Sequence, residues 1–183
     1  MIESRLPDTE HVDQELYNLL FMAFGYASLR MSESPTIPTT FIGLAETRMV
    51  TYAAKEEIRT EEDKANFVAR CRKLALAHGI LTCCIVEPTT SRAEDPEPGL
   101  PSVLAVAENM NGHRCEMMSV HAIIEGRSQG YSNAPFWARV TRPAVYVNIL
   151  PRERDLLMQA EALKYLVENG IWFDGENPNE SSN

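Results

Sequence analysis

The first predicted helix lies between residues 9 and 28, where apolar residues recur at steps of three and four. The series is Val12, Leu16, Leu19, Leu20, Ala23, Phe24 and Ala27. Such steps place the residues on one broad face of a helix. Further apolar side chains lie on its other sides, namely Tyr17, Phe21, Met22 and Tyr26. We therefore expect this helix to be buried on more than one side, by its own domain or by a second copy.

Two further helices are predicted along the chain. Thr60 and Asp63 form a capping-box pattern, and Gly79 suits the left-handed residue that ends a helix. Pro151 is placed to begin a last helix, with Arg152 and Arg154 in its first turn. We interpret these arginines as part of a salt-bridged helix start, in preference to an anion site. The face predicted to point inward carries Leu156, Ala160, Leu163 and Val167.

Strands are predicted from shorter patterns. The run 80–86 is apolar apart from Thr82, which is typical of a central strand covered on both faces. The pair Asn111-Gly112 predicts a two-residue hairpin turn. Other strand-like segments are 41–45, 49–54, 103–110, 113–124 and 136–150. The chain therefore predicts an α+β fold, with a mixed, largely antiparallel sheet of about five to six strands and three helices packed on it.

The most reactive side chains lie beside the predicted hairpin turn. A two-residue turn pairs Glu108 with Cys115 and Met110 with His113, which puts all four on one face. A carboxylate, an imidazole and a thiol could bind a metal or activate a nucleophile. A solvated hairpin tip with a packed cysteine is the simpler interpretation, and a slip of one residue would separate the group. We predict no catalytic residue, no metal and no cofactor.

Residues 1–173 are predicted to form a single domain. Residues 87–101 contain four prolines and several acids and are predicted to be a mobile loop. Residues 125–135 are predicted to be a glycine-containing loop that carries Arg127 and Tyr131. The last ten residues, 174–183, have no apolar side chain and are expected to be disordered.

Composition excludes several classes of protein. The 183 residues carry a formal net charge of −9, with the excess of acids in residues 1–15, 87–98 and 174–183. A near-neutral remainder argues against nucleic-acid binding, which needs a basic face. No apolar run reaches the ~18 residues of a membrane span, and the acidic start does not resemble a signal peptide. We expect a cytoplasmic protein without a membrane partner, whose four cysteines are reduced.

Two functional hypotheses remain. The first is a small soluble binding or regulatory protein, of the kind that phages and plasmids encode, which contacts another protein or forms a homodimer. Its predicted interface contains Leu16, Leu20, Phe24, Met110 and Met117. The alternative is a small-ligand-binding protein or an enzyme, with a site between the hairpin tip at 108–115 and the loop at 125–135. The predicted ligand-binding residues of that site are Glu108, His113, Arg114, Arg127 and Tyr131.

Overall fold

The computed structural model describes most of the chain. The described residues are 13–34, 37–90, 101–124, 127–131, 136–137 and 148–174. For residues 90, 120–124, 127–131 and 136–137 the description is confined to the backbone. Within these ranges there are three helices and a seven-stranded sheet, which confirms the predicted α+β class. The predicted single-domain boundary stays a prediction.

The helices begin at residues whose side chains accept backbone N–H groups. The helices are α1 (Gln14–Glu33), α2 (Glu61–Ala77) and α3 (Leu156–Glu168). Asp13 and Asp155 cap α1 and α3, and the capping box predicted for α2 is present, with both of its hydrogen bonds. The predicted start of α3 at Pro151 was wrong. The carboxylate of Asp155 accepts the N–H of Met158 at 2.7 Å and fixes the first turn five residues later than predicted.

Every strand pair of the described sheet is antiparallel. The strands are β1 (Thr40–Leu44), β2 (Met49–Ala53), β3 (Thr82–Thr90), β4 (Pro101–Asn109), β5 (Arg114–Ile124), β6 (Arg127–Tyr131) and β7 (Phe136–Trp137). Their order is β2-β1-β3-β4-β5-β6, with the short β7 also pairing with β5. The sheet therefore combines the β1–β2 hairpin with a meander from β3 to β6, and α2 connects the two.

Two apolar cores lie on opposite faces of the sheet. One face packs against α2, α3 and the segment 171–173, and the other packs against α1. Cys83 and Cys84 are neighbours on β3 and point into different cores, as expected for consecutive residues of a strand. The protein thus has three layers, namely α1, the sheet, and α2 beside α3.

Two loop predictions differ from the structure. Residues 127–131, predicted to lie in a loop, form β6 along the outer side of β5. The first four residues of the predicted loop 87–101 continue β3, where Pro88 lies opposite Val103. Residues 91–100 lie outside the described residues, and so do residues 175–183 of the predicted disordered tail. Asp174 is described, and its N–H donates to the carbonyl of Thr51 at 2.8 Å.

Candidate functional site

The β4–β5 loop has one residue more than the sequence predicted. Gly112 has a φ of +80°, and its N–H donates to the carbonyl of Asn109 at 3.0 Å. The N–H of Asn109 donates in turn to the carbonyl of His113 at 3.1 Å. These bonds enclose a three-residue loop of residues 110–112, with glycine at the left-handed position. The side chain of Asn109 reinforces it by accepting the N–H groups of Asn111 and His113.

The longer loop shifts the pairing of β4 with β5 by one residue. Glu108 lies opposite Arg114, and Cys115 lies opposite Ala107. Because side chains alternate between the faces of a strand, this shift separates Glu108 from Cys115. Glu108 is on the face of α2 and α3, whereas Cys115 packs with the core beneath α1. The predicted grouping of carboxylate, imidazole and thiol is therefore wrong.

His113 belongs to a network at the start of α1. Its Nδ1 lies 3.3 Å from Oδ2 of Asp13, and the same oxygen accepts a hydrogen bond from the amide of Asn109. Two residues further on, Glu15 accepts a hydrogen bond from the hydroxyl of Thr82 at 2.5 Å. The network ties the first turn of α1 to the hairpin tip and to β3. We assign it a structural role, because each of its acidic side chains bonds to a neighbouring element.

The cysteines are not activated as nucleophiles. Burial raises the pKa of Cys71, Cys83 and Cys84, and the nearby carboxylate of Glu108 adds to the effect at Cys83. Burial also raises the pKa of the half-buried Cys115 thiol, and Asp13 raises it further. A reactive cysteine needs the opposite shift, towards the thiolate. Within the described residues, no group of three His, Cys, Asp or Glu side chains could hold a metal ion.

The other face of the hairpin tip is polar and half-enclosed. Glu108 is buried, and its Oε1 accepts the N–H of Leu150 at 2.6 Å. Arg114 forms an ion pair with the largely buried Glu116. Arg154 donates to the carbonyl of Ile80 and to the sulfur of Met110, and burial lowers its pKa. Glu108, Met110 and Arg114 line a cleft of about 270 Å³, which we call the hairpin cleft.

The structure brings together only part of the predicted ligand site. Glu108 and Arg114 both line the hairpin cleft, whereas His113 bonds to Asp13 beside α1. Arg127 and Tyr131 lie at the two ends of β6, and their side chains are outside the description. The cleft is also lined by Arg152, Asn148 and Leu150, which were not predicted at this site. The run of arginines in the last third of the chain was the available signal.

The residues predicted at an interface are mostly core residues. Leu16, Leu20 and Phe24 are buried beneath α1, and Met117 is buried on the same face of the sheet. Met110 is partly buried against the opposite core. The apolar surface of the four buried residues is already covered within one chain and offers no area to a partner, whereas Met110 is covered only in part. The exposed apolar residues of α1 are instead Phe21, Met22 and Leu29.

Among the described helices, α3 exposes more large apolar side chains than α1 or α2. Leu156 is 84% exposed, Leu163 43% and Val167 57%, and Ala160 between them is also exposed. We call Leu156, Ala160, Leu163 and Val167 the α3 stripe. The prediction that this face points inward was wrong, because α3 packs on the core through Ala162 and Leu166. Nine of the thirteen residues of α3 are apolar, so periodicity alone did not distinguish the faces.

Among the described residues, no helix has the length and apolar character needed to cross a membrane. Comparisons with models of protein families, with curated proteins and with solved structures found no match to this chain. The α3 stripe and the hairpin cleft are therefore the two features from which we infer a function.

Proposed function

We propose that this chain is a small protein-binding, regulatory protein that docks through the α3 stripe, and that it binds a second copy of itself. The observation that supports the proposal is the exposure of Leu156, Leu163 and Val167 on one helix. A contiguous exposed apolar patch on a small protein is typical of an interaction site. The proposal keeps the expected phage or plasmid origin and the cytoplasmic location, and it includes no nucleic-acid or membrane partner.

The α3 stripe is self-complementary. Its steps of four, three and four residues are those of helices that pack side by side. In an antiparallel pair about a twofold axis, Leu156 would lie opposite Val167 of the second copy, and Ala160 opposite Leu163 of the second copy. A small residue opposite a large one allows close approach while the larger side chains interdigitate. A twofold interface requires such a surface, because each copy contributes the same patch.

The charges of α3 are compatible with this pairing. The helix carries only Glu161, Lys164 and Glu168, and none of them belongs to the stripe. Lys164 and Glu168 lie 3.8 Å apart as an ion pair within one copy. In the antiparallel pair, Lys164 would lie beside Leu157 of the second copy, which is 69% exposed in one chain. The methylene groups of a lysine can cover such a surface while the ammonium stays in water.

The position of the stripe leaves room for a second helix. Tyr165 lies on the opposite side of α3, where its ring centroid is 5.5 Å from the ammonium of Lys73 on α2. A second α3 would therefore extend the layer that α2 and α3 already form. Since α3 has thirteen residues and is about 20 Å long, we expect a smaller interface than usual and a dissociation constant on the order of micromolar.

Sedimentation equilibrium tests the proposal. We expect wild-type protein to shift from monomer to dimer as its concentration rises through the micromolar range. The double variant Leu156→Gln/Leu163→Gln should weaken the dimer at least ~10-fold, since it removes two apolar side chains from each copy. Its circular dichroism should stay unchanged, because both side chains are exposed.

The matched control carries Met22→Gln/Leu29→Gln, which changes two exposed apolar residues of α1. This variant should form dimers like the wild type. A strictly monomeric wild type at several hundred micromolar would contradict the proposal. Loss of the dimer in the α1 variant, with the α3 variant unaffected, would assign self-association to α1 instead.

A further inference from the structure

The hairpin cleft lies on the face of the sheet opposite α1, and the proposed dimer does not account for it. Its volume of about 270 Å³ is just below the range of pockets that hold drug-sized ligands. The polar side chains that line it include Glu108, Asn109, Arg114, Asn148 and Arg152. The space and the lining therefore suit a small polar molecule or ion.

Positive charge predominates around the cleft. Arg114 and Arg152 line it, and Arg154 contacts the lining residue Met110, with 3.1 Å between the guanidinium and the sulfur. Two carboxylates lie nearby, and each already accepts a hydrogen bond. Glu108 accepts the N–H of Leu150, and Glu116 accepts a guanidinium N–H of Arg114. Among the residues that line the cleft, the two guanidinium groups of Arg114 and Arg152 outnumber the single carboxylate of Glu108, so the lining carries a net positive charge.

Two of these arginines have an unused donor. The Nε atoms of Arg114 and Arg154 are buried and have no hydrogen-bond partner among the described residues. Buried N–H groups are nearly always paired, so each unpaired Nε–H lacks an acceptor that it would normally have. Of the two arginines only Arg114 lines the cleft, and its Nε–H would meet a ligand there once the side chain turns towards the cleft. A guanidinium group suits the oxygens of a carboxylate or a phosphate, because its donors form a planar fork.

We propose that the hairpin cleft binds a small oxyanion, a carboxylate or phosphate group, through Arg114 and Arg152. Arg152 is exposed and supplies the most accessible guanidinium group. Asp155 does not oppose the anion from within the cleft, because its side chain caps α3. The site does not depend on a helix N-terminus, since Arg152 and Arg154 both precede α3.

Titration of the full-length protein tests this site. Inorganic phosphate and acetate are added in separate series at constant ionic strength, with chloride as the reference anion. Binding is followed by calorimetry and by the NMR signals of the arginine Nε–H groups. We expect saturation at millimolar concentrations by at least one of the two anions, with a shift of the Arg114 signal. The series that saturates identifies the preferred group.

The decisive variant is Arg152→Gln, since an exposed side chain can be changed without unfolding the protein. It should weaken binding about 10-fold, because one charge-assisted contact is lost. The matched control is Arg59→Gln. Arg59 is an exposed arginine between β2 and α2 that pairs with Glu57 and does not line the cleft. Its binding should stay within about twofold of the wild type. Failure of both anions to saturate, or equal losses in the two variants, would overturn the site.

Discussion

The helices α2 and α3 lie side by side on the same face of the sheet, yet α2 exposes a mainly polar surface and α3 a largely apolar one. Seven of the seventeen residues of α2 are charged, compared with three of the thirteen residues of α3. α2 buries six residues, including Phe67, Cys71 and Leu74, and exposes mainly polar ones. α3 buries only Ala162 and Leu166 and exposes the α3 stripe.

The difference indicates that one chain covers the apolar face of α2 but leaves part of the apolar surface of α3 exposed. An amphipathic helix is stabilised when its apolar face is covered and its polar face is in water. α2 satisfies both conditions within the monomer. α3 leaves Leu156 and Val167 in water although its inner residues are buried. A second copy that covers the stripe would give α3 the same balance as α2.

The largest expected effects come from leucines on the two helices. Leu74→Ala in α2 and Leu166→Ala in α3 should each lower the free energy of unfolding by about 2–5 kcal/mol, because both side chains are buried. Leu163→Ala should lower it by less than about 1 kcal/mol in dilute monomer, because that side chain is 43% exposed. Urea denaturation at low protein concentration measures all three.

The same substitutions also test whether the α3 stripe lies outside the core. If Leu163→Ala were as destabilising as Leu166→Ala in the monomer, the stripe would be part of the core and not a docking surface. Leu163→Met serves as the control, because it keeps the apolar volume.

A smaller effect is expected at the helix starts. Thr60→Ala removes the hydroxyl that accepts the N–H of Asp63 at 3.1 Å, and it should cost about 1 kcal/mol. Asp155→Ala should cost a similar amount and should also weaken the dimer, since the cap holds the turn that contains Leu156. Thermal denaturation gives the first quantity and sedimentation the second. Thr60→Ser keeps the hydroxyl and should behave as wild type.

The smallest effect is in the pH dependence of α2. Hydrogen bonds from the Thr60 backbone and side chain and from the Arg59 backbone lower the pKa of Asp63 below its usual 3.8. A lowered pKa in the folded state means that the carboxylate stabilises the fold above pH 3.8 and loses this effect as the pH falls through the lower value. Thr60→Ala should move the pKa only part of the way back towards 3.8, because the backbone N–H of residue 60 still donates to the carboxylate; NMR titration measures the change. An unchanged pKa would show that the side chain of Thr60 does not contribute to the shift.

The β4–β5 hairpin was predicted from the sequence in its position but not in its register. The Asn111-Gly112 pair located the turn, and the strands on both sides of it are β4 and β5. The sequence did not distinguish a two-residue loop from a three-residue loop, since both use glycine with positive φ. The one additional loop residue determined which side chains share a face of the sheet, because it moved Cys115 away from Glu108 and placed Arg114 opposite Glu108. The position of Arg152 at the cleft was not predicted either, because the sequence pattern does not place residues 148–152 beside the hairpin tip.

The sequence by itself determined the α+β class, the three helices, the capping box of α2 and the apolar content of each element. These features follow from local periodicity and from hydrogen bonds between near neighbours. The periodicity also identified the face of α1 that is buried, which contains Leu16 and Leu20. The tertiary structure alone decided which side of α3 is covered, because that helix carries apolar residues on more than one side and the buried side depends on where the sheet lies. Leu166 is therefore buried, whereas Leu156 and Leu163, equally apolar, are exposed.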